Sequence, residues 1–339
     1  MKKTLIALAV LATSGMAFAQ STVTLYGLLD AYVGSTKAGG LRQTGINSGG
    51  IQTSRFGLKG SEELGGGLKA NFALESGFNV DTGVVSNYTN PFTGVSSAST
   101  FSRNSWVGFS GGFGEIKVGK MWTPLDDLNG SGAAAFNANV FKPDAYVWAS
   151  NNYQDRPGNA IYYSTPTMGG FSGAAMFSFG ENKTATTSAG RIASFNVAYS
   201  GGPVYVGLGY QTEKASGAVA NTTKFTQLNA TYDLGVAKLL AGYGHVKDAP
   251  GVPKTNEYQI GADFPVGGAL TLSGGFAHSK DKGILAAGEV KRRGFGLGAL
   301  YAMSKRTNMY VGLNSSKTTQ SRIPDAKTEV LALGVRHTF

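Results

Sequence analysis

Residues 22–34 read TVTLYGLLDAYVG, and the order of apolar and polar side chains along them sets the fold. Val23, Leu25, Leu29, Ala31 and Val33 share one face with Gly27, while Thr24, Tyr26, Asp30 and Tyr32 take the other, with Leu28 as an exception. Side chains that alternate with a period of two belong to an extended strand with one apolar face. The same parity returns in SRFGLKG, where Phe56 and Leu58 oppose Arg55 and Lys59. It recurs in GLKANFALESGF, with Leu68, Ala70, Phe72 and Leu74 against Lys69, Asn71 and Glu75, and in NMYVGLN, with Met309, Val311 and Leu313. A last run, EVLALGVRHTF at 329–339, keeps Leu331, Leu333, Val335, His337 and Phe339 in register and leaves Ala332, Gly334 and Arg336 on the other face. An aromatic residue at its end, on the apolar face, predicts a strand end that is paired and covered instead of fraying, with residues 22–34 as its partner.

The connections between such runs fall into two classes. Short turns marked by Gly or Pro occur near 61–67, 110–114, 166–170, 200–203, 233–235, 264–269 and 302–306. Longer polar segments fall near 36–50, 79–100, 123–155, 181–190, 214–223, 247–254, 281–290 and 316–327. The classes alternate strictly, and seven short with eight long connections join sixteen strands. A meander with short turns at one end and long loops at the other is the pattern of a transmembrane β-barrel, expected here as an all-β, 16-stranded antiparallel barrel. Closure of the first strand on the sixteenth removes the unpaired edges that lipid would not tolerate.

Composition agrees. The chain has 50 Gly, 15 Tyr and 19 Phe, and only 15% charged residues, against about 25% in an average soluble domain. There is no cysteine, so a disulfide scaffold is excluded. Beyond the N-terminus there is no long apolar run, which excludes helical membrane spans. Residues 1–19 join Lys2 and Lys3 to an apolar run and the small-residue pattern Ala17-Phe18-Ala19, which predicts a cleaved signal peptide followed by a barrel over 20–339. Loss of those two lysines takes the net charge from +10 to +8. A soluble propeller or sandwich would carry blade motifs and turn its apolar face inward, and no such motif recurs.

Enzymatic chemistry finds no support. The histidines are His245, His278 and His337, and no spacing assembles a nucleophile with a base or a metal cluster, so neither catalysis nor a cofactor is expected. No basic stripe interleaved with aromatics points to nucleic acid. The longest connection, residues 123–155, is instead rich in apolar side chains: Leu125, Leu128, Phe136, Val140, Phe141, Tyr146 and Trp148, with Trp122 just before it. Such a loop is expected to fold back into the barrel and narrow it, the alternative being packing at the mouth. Arg55 and Lys59 lie opposite the lipid-directed Phe56 and Leu58, and an arginine facing the bilayer centre would cost about 2 to 4 kcal/mol, so both are expected in the lumen. Arg103 and Arg156 stand at the starts of their strands, and Lys120 ends another; the parity around Arg103 is mixed, and Trp106 is assigned to lipid with Arg103 in the pore.

Four stretches together, STVTLYGLLDAYVG, SRFGLKGSEELGGGLKANFALESGF, SWVGFSGGFGEIKVGK and GVRHTF, resemble the general diffusion porins of Gram-negative outer membranes, in particular the betaproteobacterial branch with the neisserial porins. The resemblance spans essentially the whole chain after the signal. It implies a water-filled channel for passive diffusion of small hydrophilic solutes and ions, assembled as a homotrimer in the lipopolysaccharide-bearing outer membrane. It further implies a third loop that folds inward, with a basic wall of Arg55, Lys59, Arg103, Lys120 and Arg156 facing Asp126, Asp127 and, more weakly, Asp144. The PEFGG motif of enterobacterial relatives is absent from this loop. A basic wall opposed by few acids favours anions modestly; the alternative is arginines that pair with Asp30 or Glu75 and do little to permeation. A substrate-selective channel with a stacked aromatic track and a plugged surface barrel are the competing functions. His337 and Phe339 resemble the terminal signal read by the barrel-assembly machinery.

Overall fold

In the computed structural model, which describes residues 22–130, 137–217, 221–247, 254–282, 288–320 and 323–339, the alternation at 22–34 becomes the first strand of a closed antiparallel barrel. The expected signal peptide and Phe136 lie outside the described residues. Seventeen segments make up the sheet, and two of them are halves of one interrupted strand, which leaves sixteen staves. They are β1 (Thr22–Ala38), β2 (Leu41–Ser48 and Arg55–Gly65), β3 (Leu68–Gly77), β4 (Asn104–Gly111), β5 (Gly114–Lys120) and β6 (Ala160–Ser164). Then follow β7 (Phe171–Phe179), β8 (Arg191–Gly201), β9 (Val204–Lys214), β10 (Thr222–Asp233) and β11 (Lys238–Lys247). The last are β12 (Lys254–Val266), β13 (Leu270–Lys282), β14 (Val290–Ala302), β15 (Thr307–Gln320) and β16 (Ile323–Thr338).

β16 returns to β1 in the register Ala31 to Val335 and Val33 to Leu333, so the edges are closed. Both partners in these pairs project outward, and Val33 and Leu333 are 57% and 54% exposed on the lipid face. The inward neighbours Val330 and Ala332 are buried, as the period of two requires.

The sequence-based boundaries need correction at two loops. Residues 36–50, expected as a polar loop, continue β1 into the first half of β2 through a turn at Gly39 and Gly40, whose φ values of 57° and 84° suit glycine. Likewise β15 and β16 run on through most of 316–327 and pair as far as Gln320 and Ile323. Threonine, lysine and serine in these stretches extend the hairpins beyond the apolar band, where polarity is no bar to pairing.

The break in β2 has a cause. Residues 49–54 leave the sheet because the fully buried Asp30 carboxylate accepts the backbone N–H groups of Gly50, Ile51 and Gln52 at 3.2, 2.9 and 2.8 Å. The Tyr310 hydroxyl donates to the same carboxylate. Ile51 is thereby drawn inward to pack with Ala138, Phe141 and Tyr310.

Candidate functional site

The connection between β5 and β6 folds into the barrel. It opens with a short helix, α1 (Pro124–Gly130), whose Leu125 and Leu128 are buried against the wall. They sit over Gly207 and Gly209 of β9, where any Cβ would collide with their methyl groups. Leu125 N–H donates to Ser194 Oγ at 3.1 Å, and Asn196 donates to the Pro124 carbonyl at 2.6 Å.

Further along, Trp148 lies over Gly242 and Gly244 of β11, while Phe141, Pro143 and Val147 lie over Gly294 and Gly296 of β14. The Glu257 carboxylate accepts N–H bonds from Ala149 and Ser150 at 2.5 and 3.0 Å. Asn139 and Val140 donate to Ile51 and Gly50 on the β2 break, so the loop is fastened from β8 around to β2. Of the apolar side chains expected in this loop, Leu125, Leu128, Phe141 and Trp148 are thus buried against the inner wall and not at the mouth, Val140 is half-buried and Tyr146 is exposed. Inward glycines between large outward residues, as in Val206-Gly207-Leu208-Gly209, are the sequence signal of this groove.

The loop leaves a recess of about 550 Å³ beside the β2–β4 wall, lined by Arg55, Arg103, Arg156, Glu75, Asp126, Asp127, Asp155 and Trp122. Glu75 receives Arg103 Nε at 2.6 Å and stands 3.6 Å from Arg55. Arg156 stacks on Trp122 with its guanidinium carbon 3.6 Å from the ring centroid, and Arg103 approaches the same ring at 5.3 Å. Arg156 also pairs with Asp155 at 3.2 Å. Across from them, Asp126 accepts the Tyr153 hydroxyl at 2.6 Å and Asp127 accepts the Tyr162 hydroxyl at 2.8 Å. Bonds of this kind fix the orientation of both partners.

Of the residues expected at the constriction, Arg55, Arg103, Arg156, Asp126 and Asp127 therefore meet at one recess. Lys120 stands behind it and donates to the Arg156 carbonyl, with its ammonium 4.3 Å from the Tyr88 ring centroid. A φ of 130° at Gly119 breaks the strand parity just before Lys120, which would otherwise project with the lipid-facing Ile116 and Val118. Lys59 lies lower, toward the short turns, in a second recess. Asp144 does not line the constriction: it is buried on Lys142 at 3.4 Å and on the Asn151 amide at 2.9 Å. His337 and Phe339 are both exposed on the outer face, with His337 Nδ1 2.9 Å from Thr307 Oγ1.

Trp106 needs correction. It was assigned to lipid, yet Val107 and Phe109 are the outward residues of β4, 53% and 49% exposed, and Trp106 turns inward beside Met121, Ala160, Tyr162 and Met176. Arg103 reaches the lumen because it precedes β4 and escapes its parity. The alternative expectation is met in part, since Arg103 and Arg55 lie on Glu75, whereas Asp155 and the stacking ring of Trp122 are not among the expected constriction residues. Glu75 had a signal, since it opposes Leu74 in β3; Asp155 had one as well, next to Arg156 in the chain, but only the loop's return path brings that pair into the recess with Arg55 and Arg103.

Comparison with known proteins bears on this geometry. Residues 4–321 match the family described as Gram-negative porin. The chain is 36% identical to the outer membrane porin protein 32 of Delftia acidovorans over 368 aligned positions, covering all of both chains. Among solved structures it is similar to the anion-selective porin from Comamonas acidovorans, with 30% identity, a TM-score of 0.79, and coverage of 94% of this chain and 100% of that one. The trimer form of OmpT from Vibrio cholerae shares the fold at 16% identity and a TM-score of 0.70, covering 94% of this chain and 99% of that one.

Proposed function

We propose, on the premise that this chain belongs to the Gram-negative porin family, that its constriction sorts small hydrophilic solutes by size and gives a modest preference to anions. The chain is a passive, water-filled channel of the outer membrane. The observation that carries the preference is the convergence of Arg55, Arg103 and Arg156 on one recess beside the loop that crosses the lumen. Charged groups around a narrow aqueous passage set ion preference by electrostatics and size preference by diameter. Glu75, Asp126, Asp127 and Asp155 line the same recess and outnumber its three arginines, so the positive balance comes only with Lys59 and Lys120 of the same wall, and for this reason the preference is modest.

The likeness to a porin described as anion-selective supports this reading. In the same proposal residues 1–19 are removed on export, and three copies assemble as in the trimer form of the OmpT neighbour. Reversal potentials in a planar bilayer under a KCl gradient test the selectivity: chloride is expected to carry more current than potassium. A clear cation preference would overturn it.

A further inference from the structure

We propose that the lumen recess on the short-turn side of the constriction is a binding subsite for aromatic monocarboxylates, an inference that rests on the channel reading above. This recess measures about 640 Å³ and is lined by Tyr26, Trp106, Tyr162, Lys59, Lys117 and Met121 among others. Its volume falls in the range of about 300 to 1,000 Å³ typical of small-molecule sites. It shares Trp122 and Asp127 with the arginine recess, so a solute that passes one meets the other.

Its lining differs from the constriction in chemistry. Indole and phenol rings that face water give up the gain their burial would bring, and a lumen wall is served as well by serine or threonine. Here β1, β4 and β6 each place a ring inward: Tyr26 and Trp106 are half-buried and keep part of their rings open to the recess, Trp106 although lipid was available on the other face, while Tyr162 is buried. Cations already rest on these rings: Lys59 Nζ lies 5.3 Å from the Tyr26 centroid, and Lys117 Nζ lies 5.0 and 4.5 Å from those of Trp106 and Tyr162.

The charges then select the ligand. Lys117 is paired with Glu115 at 2.9 Å, and Asp127 holds the Tyr162 hydroxyl. No carboxylate of the described residues stands within ion-pair distance of Lys59, whose ammonium has the Tyr26 ring as its neighbour. A ligand that matches the recess therefore brings one carboxylate for Lys59 and one flat ring for the aromatic wall. A chloride or acetate ion gains nothing from the rings.

The test uses the full chain in planar bilayers, with the KCl current titrated by benzoate, acetate and cyclohexanecarboxylate at constant ionic strength. Benzoate is expected to reduce the current at about tenfold lower concentration than either comparator, the scale of one aromatic stacking contact. Trp106→Leu should bring benzoate to the level of cyclohexanecarboxylate. Should that variant fail to assemble because Trp106 also packs on Met121 and Tyr162, Lys59→Gln reads the carboxylate half alone, and benzoate block should weaken several-fold. Equal block by the three acids, or benzoate block unchanged in Lys59→Gln, overturns the proposal while leaving the channel reading intact. A protein that carries no current in KCl overturns both.

Discussion

Burial on the barrel wall, reinforced by the neighbouring Asp155 carboxylate, pushes the Asp126 carboxyl up to about 7, against the Tyr153 hydroxyl and Arg156, which favour its charged form. Above that pH Asp126 carries a negative charge opposite the arginines; below it the charge is gone and the recess becomes more positive. One charge acting over about 10 Å of water is worth about 0.4 kcal/mol, or roughly twofold in local ion concentration. The two ions respond in opposite directions, so the chloride-to-potassium permeability ratio is expected to rise roughly threefold between pH 8 and pH 6. Asp126→Asn should bring the ratio at pH 8 toward its acidic value and shrink the change, and reversal potentials across that pH range measure both. The arginines themselves stay charged over this range, so a flat profile in the unmodified channel would count against Asp126.

At the scale of the element, the inward loop is held by what the wall lacks. Gly207 and Gly209 make room for Leu125 and Leu128, and Glu257 caps the turn at Ala149 and Ser150 with its carboxylate. A leucine at 209 would fill the groove that α1 occupies, an overpacking that costs about 1 to 3 kcal/mol and is relieved by displacing the loop. The lipid face keeps Leu208 and stays unchanged, so the barrel should still insert. Gly209→Leu is expected to raise single-channel conductance through a wider passage, and conductance equal to that of the unmodified channel would show that the loop does not depend on this groove.

Over the whole molecule, closure depends on the pairing of β1 with β16. Phe339 N–H donates to the Gly27 carbonyl at 3.0 Å and Gly27 N–H donates to the Phe339 carbonyl at 3.1 Å. The Phe339 ring occupies the space that a Cβ at Gly27 would need. Unpaired backbone groups at a seam in lipid cost several kcal/mol each. Deletion of Phe339 should lower the yield of assembled barrel severalfold, read by heat-modifiable migration on gels, while barrels that do insert keep their conductance. Normal assembly would argue against Phe339 as part of the signal recognised on insertion, and altered conductance would move its role to the pore.

The sequence by itself determined the barrel, because a period of two with one continuous apolar face admits few folds once lipid forbids open edges. It also determined which way Arg55 and Lys59 point, since strand parity is local. Parity stopped being informative where a strand begins or bends: Arg103 enters the lumen from outside β4, and Lys120 does so after the positive φ of Gly119. Trp106, expected on the lipid face with Arg103 in the pore, lies inward because Val107 and Phe109 hold the outward parity of β4. Only the tertiary structure decided that the neighbours Asp155 and Arg156 would join Arg55, Arg103 and Trp122 in one recess, that Asp144 would be buried away from it, and that the aromatic rings of β1, β4 and β6 would share another. Those meetings depend on the curvature of the closed sheet and the path of a long loop, both set by contacts between residues far apart in the chain.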